Sequence, residues 1–313
     1  MDIFISAQNF GIYNAKVLEI LKTSNLNYYI NKTGKKLSNE ETSEQAKNAK
    51  VIIAGTEPLY HLVEKSNSLR AICRLGTGTD NIPLNVCSSK NIEIFTADSY
   101  VAESVSEFVL SIILASSRNL IDQNQKCKQG SWEKMIGSAI SDLTIGVLGF
   151  GAIGKKLVEL LSKLSFKEIL IFDLSHDNLK SQNPKVFGKN TKFVSYEYLL
   201  KYSDVISIHI PLTKENYEIV DFNFLNKVKS DLVLINTSRG QIINEDHLLN
   251  ILDKKLKLVA LDVFNKEPYS GPLLTHPKII ATPHIASYTL KSRQEIEIVC
   301  LKKAIDVAST LKS

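Results

Sequence analysis

Short apolar runs alternating with amphipathic stretches predict an α/β protein built on doubly wound parallel sheets. Three observations carry that prediction. The alternation occurs twice, before and after a long apolar segment that begins near Val101. The second series opens with a glycine-rich turn between a strand pattern and a helix pattern. The chain is also 313 residues long, above the usual size of one compact domain, so two domains are expected.

In the first series, Ile3 to Ser6, Val51 to Ala54, Ala71 to Leu75 and Ile92 to Phe95 read as buried strands, being short and apolar throughout. Asn14 to Lys22 and Pro58 to Lys65 read as helices between them, while the polar stretch Asn31 to Asn48 reads as a loop leading into an exposed helix. Val105, Phe108, Val109, Ile112 and Ile113 fall at helical spacing and predict one long helix ending near Arg118-Asn119. A polar segment around Gly130, Ser131 and Trp132 follows. Six further strands are predicted at Thr144 to Leu148, Ile169 to Phe172, Val205 to Ile208, Leu232 to Ile235, Leu258 to Leu261 and Lys278 to Ala281. Leu290 to Leu311 completes the chain as a helix expected to pack back on the first domain.

Composition narrows the class of function. A formal charge of +5 favours anionic small molecules mildly, and because the Lys and Arg residues are scattered, no nucleic-acid partner is expected. Cys73, Cys87, Cys127 and Cys300 form no CxxC pair, and no secretory leader is recognisable, so a cytoplasmic location and no metal centre are expected. The apolar run Val105 to Ala115 is too short for the roughly 20 residues of a bilayer span, so no membrane association is expected.

The glycine-rich turn reads Gly149-Phe150-Gly151-Ala152-Ile153-Gly154, a GxGxxG pattern that directly follows a strand and opens a helix. In that context Gly149 permits the tight turn, Gly151 lets backbone approach a pyrophosphate, and Gly154 lets helix and strand touch. The N–H groups at Ala152 and Ile153 then face the anion at the helix N-terminus. The next strand ends at Asp173, where a carboxylate can accept hydrogen bonds from the adenosine ribose hydroxyls. It would repel a 2′-phosphate, and Leu174 and Ser175 beside it supply no arginine, so the cofactor is read as NAD rather than NADP.

Three later strand ends carry polar residues: Asn236-Thr237-Ser238-Arg239-Gly240, then Asp262 to Pro268, then Thr282-Pro283-His284-Ile285-Ala286. Proton transfer beside a hydride carrier needs a base, and His284 is the candidate because imidazole titrates near neutral pH. Glu267 is the candidate carboxylate to orient it and favour the imidazolium. Arg239 can hold a substrate carboxylate through two parallel hydrogen bonds. Taken singly, each has a plainer reading: a structural histidine, a loop charge, an ion-pairing arginine. His209 is read as structural.

With the Arg-Gly after a strand, the LDVF…EP run and the PHIA run in this order, the chain resembles the D-isomer-specific 2-hydroxyacid dehydrogenases over essentially its whole length. The resemblance assigns the same three roles to Arg239, Glu267 and His284. It implies that Ile210, Thr237 and Ser238 line the cofactor and that Asp262 bonds the nicotinamide carboxamide. It also implies two Rossmann-like doubly wound domains with the active-site cleft between them. Residues 1–98 completed by 288–313 would bind substrate, residues 99–287 would bind NAD, and two copies would associate through the cofactor domain with Trp132 contributing.

In the first domain, Gly76-Thr77-Gly78 follows a strand, and its backbone N–H groups can form a small anion nest. Together with Arg74 this loop looks most like that of phosphoglycerate dehydrogenases, although Ala54 stands where those enzymes often carry another arginine. The chain ends without the C-terminal regulatory domain of many such enzymes, so no serine feedback is expected. The expected substrate is therefore a small anionic D-2-hydroxy or 2-keto acid, 3-phosphoglycerate first. Glycerate, lactate or a sugar acid is the enzymatic alternative, and an NAD(H)-sensing protein like the corepressor relatives is the non-catalytic one.

Overall fold

The computed structural model describes residues 1–174 and 187–311, and the chain divides into two compact units. The first unit comprises Met1–Val101 with Tyr288–Ser313, and the second Ala102–Ser287. Ser175, named above beside Asp173, lies outside the described residues.

The first unit holds one parallel sheet of β1 (Ile3–Ile5), β2 (Tyr28–Ile30), β3 (Val51–Ala54), β4 (Ala71–Arg74) and β5 (Glu93–Thr96), in the order β2-β1-β3-β4-β5. Strands β1, β3 and β4 are buried at every position, which is why they read as unbroken apolar runs rather than alternating ones. Helices α1 (Ala15–Thr23), α2 (Asn39–Ala46), α3 (Tyr60–Lys65) and α4 (Leu84–Ser89) connect them. A core of Phe4, Ile52, Leu59, Leu62, Leu69 and Ile72 fills one face. The C-terminal helix Leu290–Thr310 makes its main contacts with β3 and β4.

Edge strand β2 was not apparent from the sequence. It is three residues long with half-exposed side chains, and its clearest packing contact is Tyr29 stacked on Phe4. The helix after the polar stretch is less exposed than expected. Thr42, Ser43 and Ala46 of α2 are buried, and Ser38 starts the helix with a capping box to Glu41.

The second unit carries seven parallel strands: β6 (Thr144–Leu148), β7 (Glu168–Phe172), β8 (Thr191–Phe193), β9 (Val205–Ile208), β10 (Leu232–Asn236), β11 (Leu256–Leu261) and β12 (Ile279–Ala281). Their order is β12-β11-β10-β9-β6-β7-β8, so the chain winds outward in one direction from β6 and then returns to wind the other way from β9. Such a reversal opens a crevice at the C-terminal ends of the two central strands, the usual ligand position in open α/β sheets. Its helices are α5 (Asp98–Ser117), α6 (Leu120–Lys128), α7 (Ala152–Leu161), α8 (Tyr196–Tyr202), α9 (Phe222–Lys227) and α10 (Glu245–Lys255). Helices α5 and α7 pack Val109, Ile113, Leu157 and Leu161 on one face, against Ile145 and Ile169. Helices α8, α9 and α10 cover the other with Leu199, Phe224, Leu248 and Leu252, around Ile206 and Leu234.

Helix α5 corrects one expectation. Ser99–Ser117 is 19 residues long and, by length and composition alone, apolar enough to cross a membrane, where the run Val105 to Ala115 had looked too short. Val101 and Ala102 extend the apolar stretch beyond that run, and the serines interrupt it without adding charge. Half of it is buried inside the protein, and Val109 and Ile113 pack in the sheet core, so packing accounts for its composition. The helix stops before Asn119, which adopts the left-handed conformation that asparagine tolerates well.

Candidate active site

Because all seven strands of the second unit run parallel, their C-terminal ends share one edge of the sheet, and the chemistry-bearing residues named from sequence sit along it. At the central crevice, Gly149 follows β6 with φ +104, and a side chain there would meet the backbone of His209 at 2.7 Å. Gly154 lies in the first turn of α7, where a Cβ would come within 2.1 Å of the Gly149 carbonyl oxygen. These contacts bring the turn hard against the ends of β9 and the helix. In front of Gly151, by contrast, a Cβ would meet nothing within 4 Å.

Gly151 is the N-cap of α7 and makes no side-chain cap, so the N–H groups of Ala152 and Ile153 point outward without one. Asp173 ends β7, and its Oδ2 accepts the Phe150 N–H at 2.6 Å, tying that strand end to the turn. Ile210 is buried directly after β9, with its amide nitrogen beside Gly149. At the end of β10 the buried Thr237 hydroxyl has no hydrogen-bond partner within the described protein. An open face at Gly151, uncapped helix N–H groups and an orphaned hydroxyl at the same sheet edge fit a dinucleotide with its pyrophosphate on α7.

Further along the same edge, His284 and Glu267 meet although 17 residues separate them: His284 Nδ1 lies 3.0 Å from Glu267 Oε2. Burial pushes the Glu267 carboxyl up, but the hydrogen bond and charge of His284, the Phe264 N–H and the charge of Arg239 outweigh it and hold the group below its ordinary value. The Arg239 guanidinium donates to the Ser238 carbonyl at 2.6 Å and is partly buried.

Sequence reasoning missed Asn236, which holds the Arg239 turn, and the structural part that Asp262 plays beneath His284. Asn236 is fully buried at the end of β10; its Oδ1 accepts the Ser238 N–H and hydroxyl at 3.0 and 2.8 Å, while its Nδ2 donates to the Arg239 carbonyl at 2.9 Å. An Asn two residues before a Ser at a strand end is the available signal for such a turn. Asp262, buried at the end of β11, accepts from the Thr282 hydroxyl at 2.6 Å and from the Ile285 and Ala286 N–H groups at 2.8 Å each. It therefore clamps the segment whose centre, His284, sits at φ +57, an uncommon conformation for a residue with a Cβ.

In the first unit, Arg74 ends β4 and is buried, its guanidinium donating to the Leu75 carbonyl at 2.7 Å. It lies under Gly76, where a Cβ would come within 2.9 Å of it, and Thr77 and Gly78 are partly exposed beyond it. Among the described residues no group of three or more His, Cys, Asp or Glu is placed to hold a metal ion.

A doubly wound sheet with a glycine turn at its reversal point and an acid–imidazole pair on the same edge defines the class of nicotinamide-dependent dehydrogenases. The profile of the "D-isomer specific 2-hydroxyacid dehydrogenase, NAD binding domain" matches residues 110–286, more than half of the chain, and this protein belongs to that family. Glyoxylate reductase from Thermofilum pendens is 29% identical over 79% of this chain and 74% of its own length. D-3-phosphoglycerate dehydrogenase from Archaeoglobus fulgidus is 28% identical over 90% of this chain, which spans about half (53%) of that relative. The structure of D-lactate dehydrogenase from Aquifex aeolicus, complexed with NAD and lactic acid, superposes with a TM-score of 0.82 at 25% identity, covering 97% of this chain and 94% of that one. The protein is thus an NAD-dependent member of the D-2-hydroxyacid dehydrogenase family, with two parallel-sheet α/β domains.

Proposed function

We propose that this protein interconverts a small D-2-hydroxy acid and its 2-keto acid, with Arg239 and His284 as the groups that touch the reacting molecule and Glu267 acting through His284. The observation that carries this reading is the 3.0 Å pairing of His284 Nδ1 with Glu267 Oε2, which leaves Nε2 as the ring nitrogen for substrate. NAD, when bound, supplies the hydride acceptor for oxidation and its reduced form the donor for reduction. Gly149, Gly151, Ala152, Ile153 and Gly154 would hold its pyrophosphate, Asp173 its ribose, and Ile210, Thr237 and Ser238 its flank. Asp262 would reach the carboxamide with the acceptor capacity left after clamping the His284 segment.

In oxidation, His284 Nε2 takes the hydroxyl proton as the C2–H bond breaks, and the Glu267 carboxylate stabilises the resulting imidazolium. In reduction the imidazolium returns that proton to the carbonyl oxygen. Arg239 binds the substrate carboxylate and polarises the same oxygen. In the first unit, Gly76, Thr77 and Gly78 are the candidate nest for an anionic substrate group.

Between the two substrate readings, the Arg74 loop weighs toward an unphosphorylated acid such as glyoxylate or hydroxypyruvate. Its guanidinium is turned onto its own loop, and Ala54 leaves no second cation on the adjacent strand. The 3-phosphoglycerate reading keeps the support of the resemblance and of the 28% identical D-3-phosphoglycerate dehydrogenase. A homodimer formed through the second unit is part of the proposal. Trp132 and Ile136, 86% and 96% exposed in a segment without regular secondary structure, are the side chains that such an interface would cover. The four free cysteines favour a reducing, cytoplasmic setting.

The test is NADH oxidation with glyoxylate, hydroxypyruvate, pyruvate and 3-phosphohydroxypyruvate, for the wild type and for His284→Ala. The variant should lose roughly 10²–10⁴-fold in kcat, the usual contribution of general acid–base catalysis, with NADH affinity unchanged. Undiminished turnover would remove His284 from the mechanism. Tight NADH binding without turnover of any acid would favour a sensing role instead.

A further inference from the structure

Glu267 lies in the irregular segment between β11 and β12, so no regular element sets its distance from His284. Its carboxylate is also 40% exposed, and packing alone does not hold it. Two side chains from the Arg239 segment reach across to that loop. The Asn265 N–H donates to Glu245 Oε1 at 3.0 Å, and Gln241 Nε2 donates to the Asn265 carbonyl at 3.1 Å. Both backbone polar groups of one residue, two positions before Glu267, are therefore gripped by side chains 20 and 24 residues away.

The surroundings make this grip rigid. Glu245 begins α10 directly after its cap Asn244, whose side chain accepts the His247 N–H, so its backbone is fixed by the helix. Gly240 lies so close that a Cβ would fall 1.9 Å from the Phe264 carbonyl carbon, which leaves the two loops in backbone contact. Phe264 donates its N–H to Glu267 Oε1 at 3.2 Å and stacks on Tyr269 with ring centroids 4.4 Å apart.

We propose that Glu245 and Gln241 are positioning residues for this reaction: by clamping the Asn265 peptide they fasten the loop carrying Glu267 to the segment carrying Arg239, and so set the reach from Glu267 to His284. A carboxylate accepting a backbone N–H is among the stronger hydrogen bonds, and catalytic groups tolerate displacements of only about 0.5 Å. The inference rests on the proposed roles of Glu267 and His284.

The experiment is a double-mutant cycle in keto-acid reduction, read beside amide hydrogen exchange. Glu245→Ala and Gln241→Ala should each lower kcat about tenfold with NADH affinity held within about twofold, as expected when a reacting group is misplaced rather than removed. Glu245→Gln keeps an acceptor oxygen for Asn265 and should stay within about threefold of wild type. In a Glu267→Gln background Glu245→Ala should cost less than about twofold further, because residues acting through one group are not additive. An equal loss in both backgrounds would overturn the proposal. So would unchanged exchange at Phe264 to Glu267 in Glu245→Ala, a readout that needs no turnover. Full activity of Glu267→Gln and His284→Ala would instead sink the catalytic reading, whatever the exchange data show.

Discussion

His209 and His284 both follow strands on the same edge of one sheet, yet their surroundings suit them to opposite tasks. His284 is 39% exposed on its side chain and faces a carboxylate. Part of His209 reaches the surface, but among the described residues its Nδ1 is sealed off without a hydrogen-bond partner, while its Nε2 meets the Ser207 hydroxyl at 2.8 Å. Burial pushes its imidazole down to about 4, so it stays neutral through the range in which catalytic histidines titrate. In the unfolded chain it gains a proton near pH 6.5, so between that value and about 4 the unfolded state binds more protons and stability falls with pH. Denaturant unfolding of the cofactor-free protein should therefore show roughly 1–2 kcal/mol lost to this group between pH 7 and pH 5. His209→Gln, which cannot charge, should flatten that part of the curve; an unaltered slope would mean that His209 is solvated in solution.

At the scale of elements, the unit of strand β6, glycine turn and helix α7 does the work of a cofactor cradle, and its glycines divide by what surrounds them. Gly154→Ala would drive a methyl into the Gly149 carbonyl, backbone against backbone, so the helix must move away from the strand. Overpacking of this kind typically costs about 1–3 kcal/mol, and NADH binding should weaken with it. Gly151→Ala faces open space and should leave thermal stability nearly unchanged while still weakening NADH, since the methyl would occupy the approach of the pyrophosphate. Calorimetry of both variants with and without NADH separates the two cases, and equal losses of stability would contradict the distinction. These elements were legible beforehand because strands buried on both faces are continuous apolar runs, as in Val51–Ala54 and Val205–Ile208. Edge strands β2 and β8 were not, since three residues of mixed burial carry no such pattern.

At the scale of the whole molecule, the exposure of Trp132 and Ile136 is the feature that a lone chain explains least. Sedimentation at micromolar concentration should give twice the 34.9 kDa chain mass, and replacing both residues by Ser should return it toward the single-chain value. A wild-type protein that sediments as one chain would remove the dimer. The fully buried strands, the long helix, the glycine turn, Asp173 and the three groups Arg239, Glu267 and His284 could all be named from the linear chain. Each announces itself through residues close in sequence: an apolar run, a motif, a polar residue at a strand end. Glu267 was the expected companion of His284, but their 3.0 Å contact, the turning of Arg74 onto its own loop, and the clamps made by Asn236, Asp262, Gln241 and Glu245 appeared only in three dimensions. The reason is physical: most of these contacts join segments 17 or more residues apart or depend on burial, and no local pattern encodes where two such segments meet.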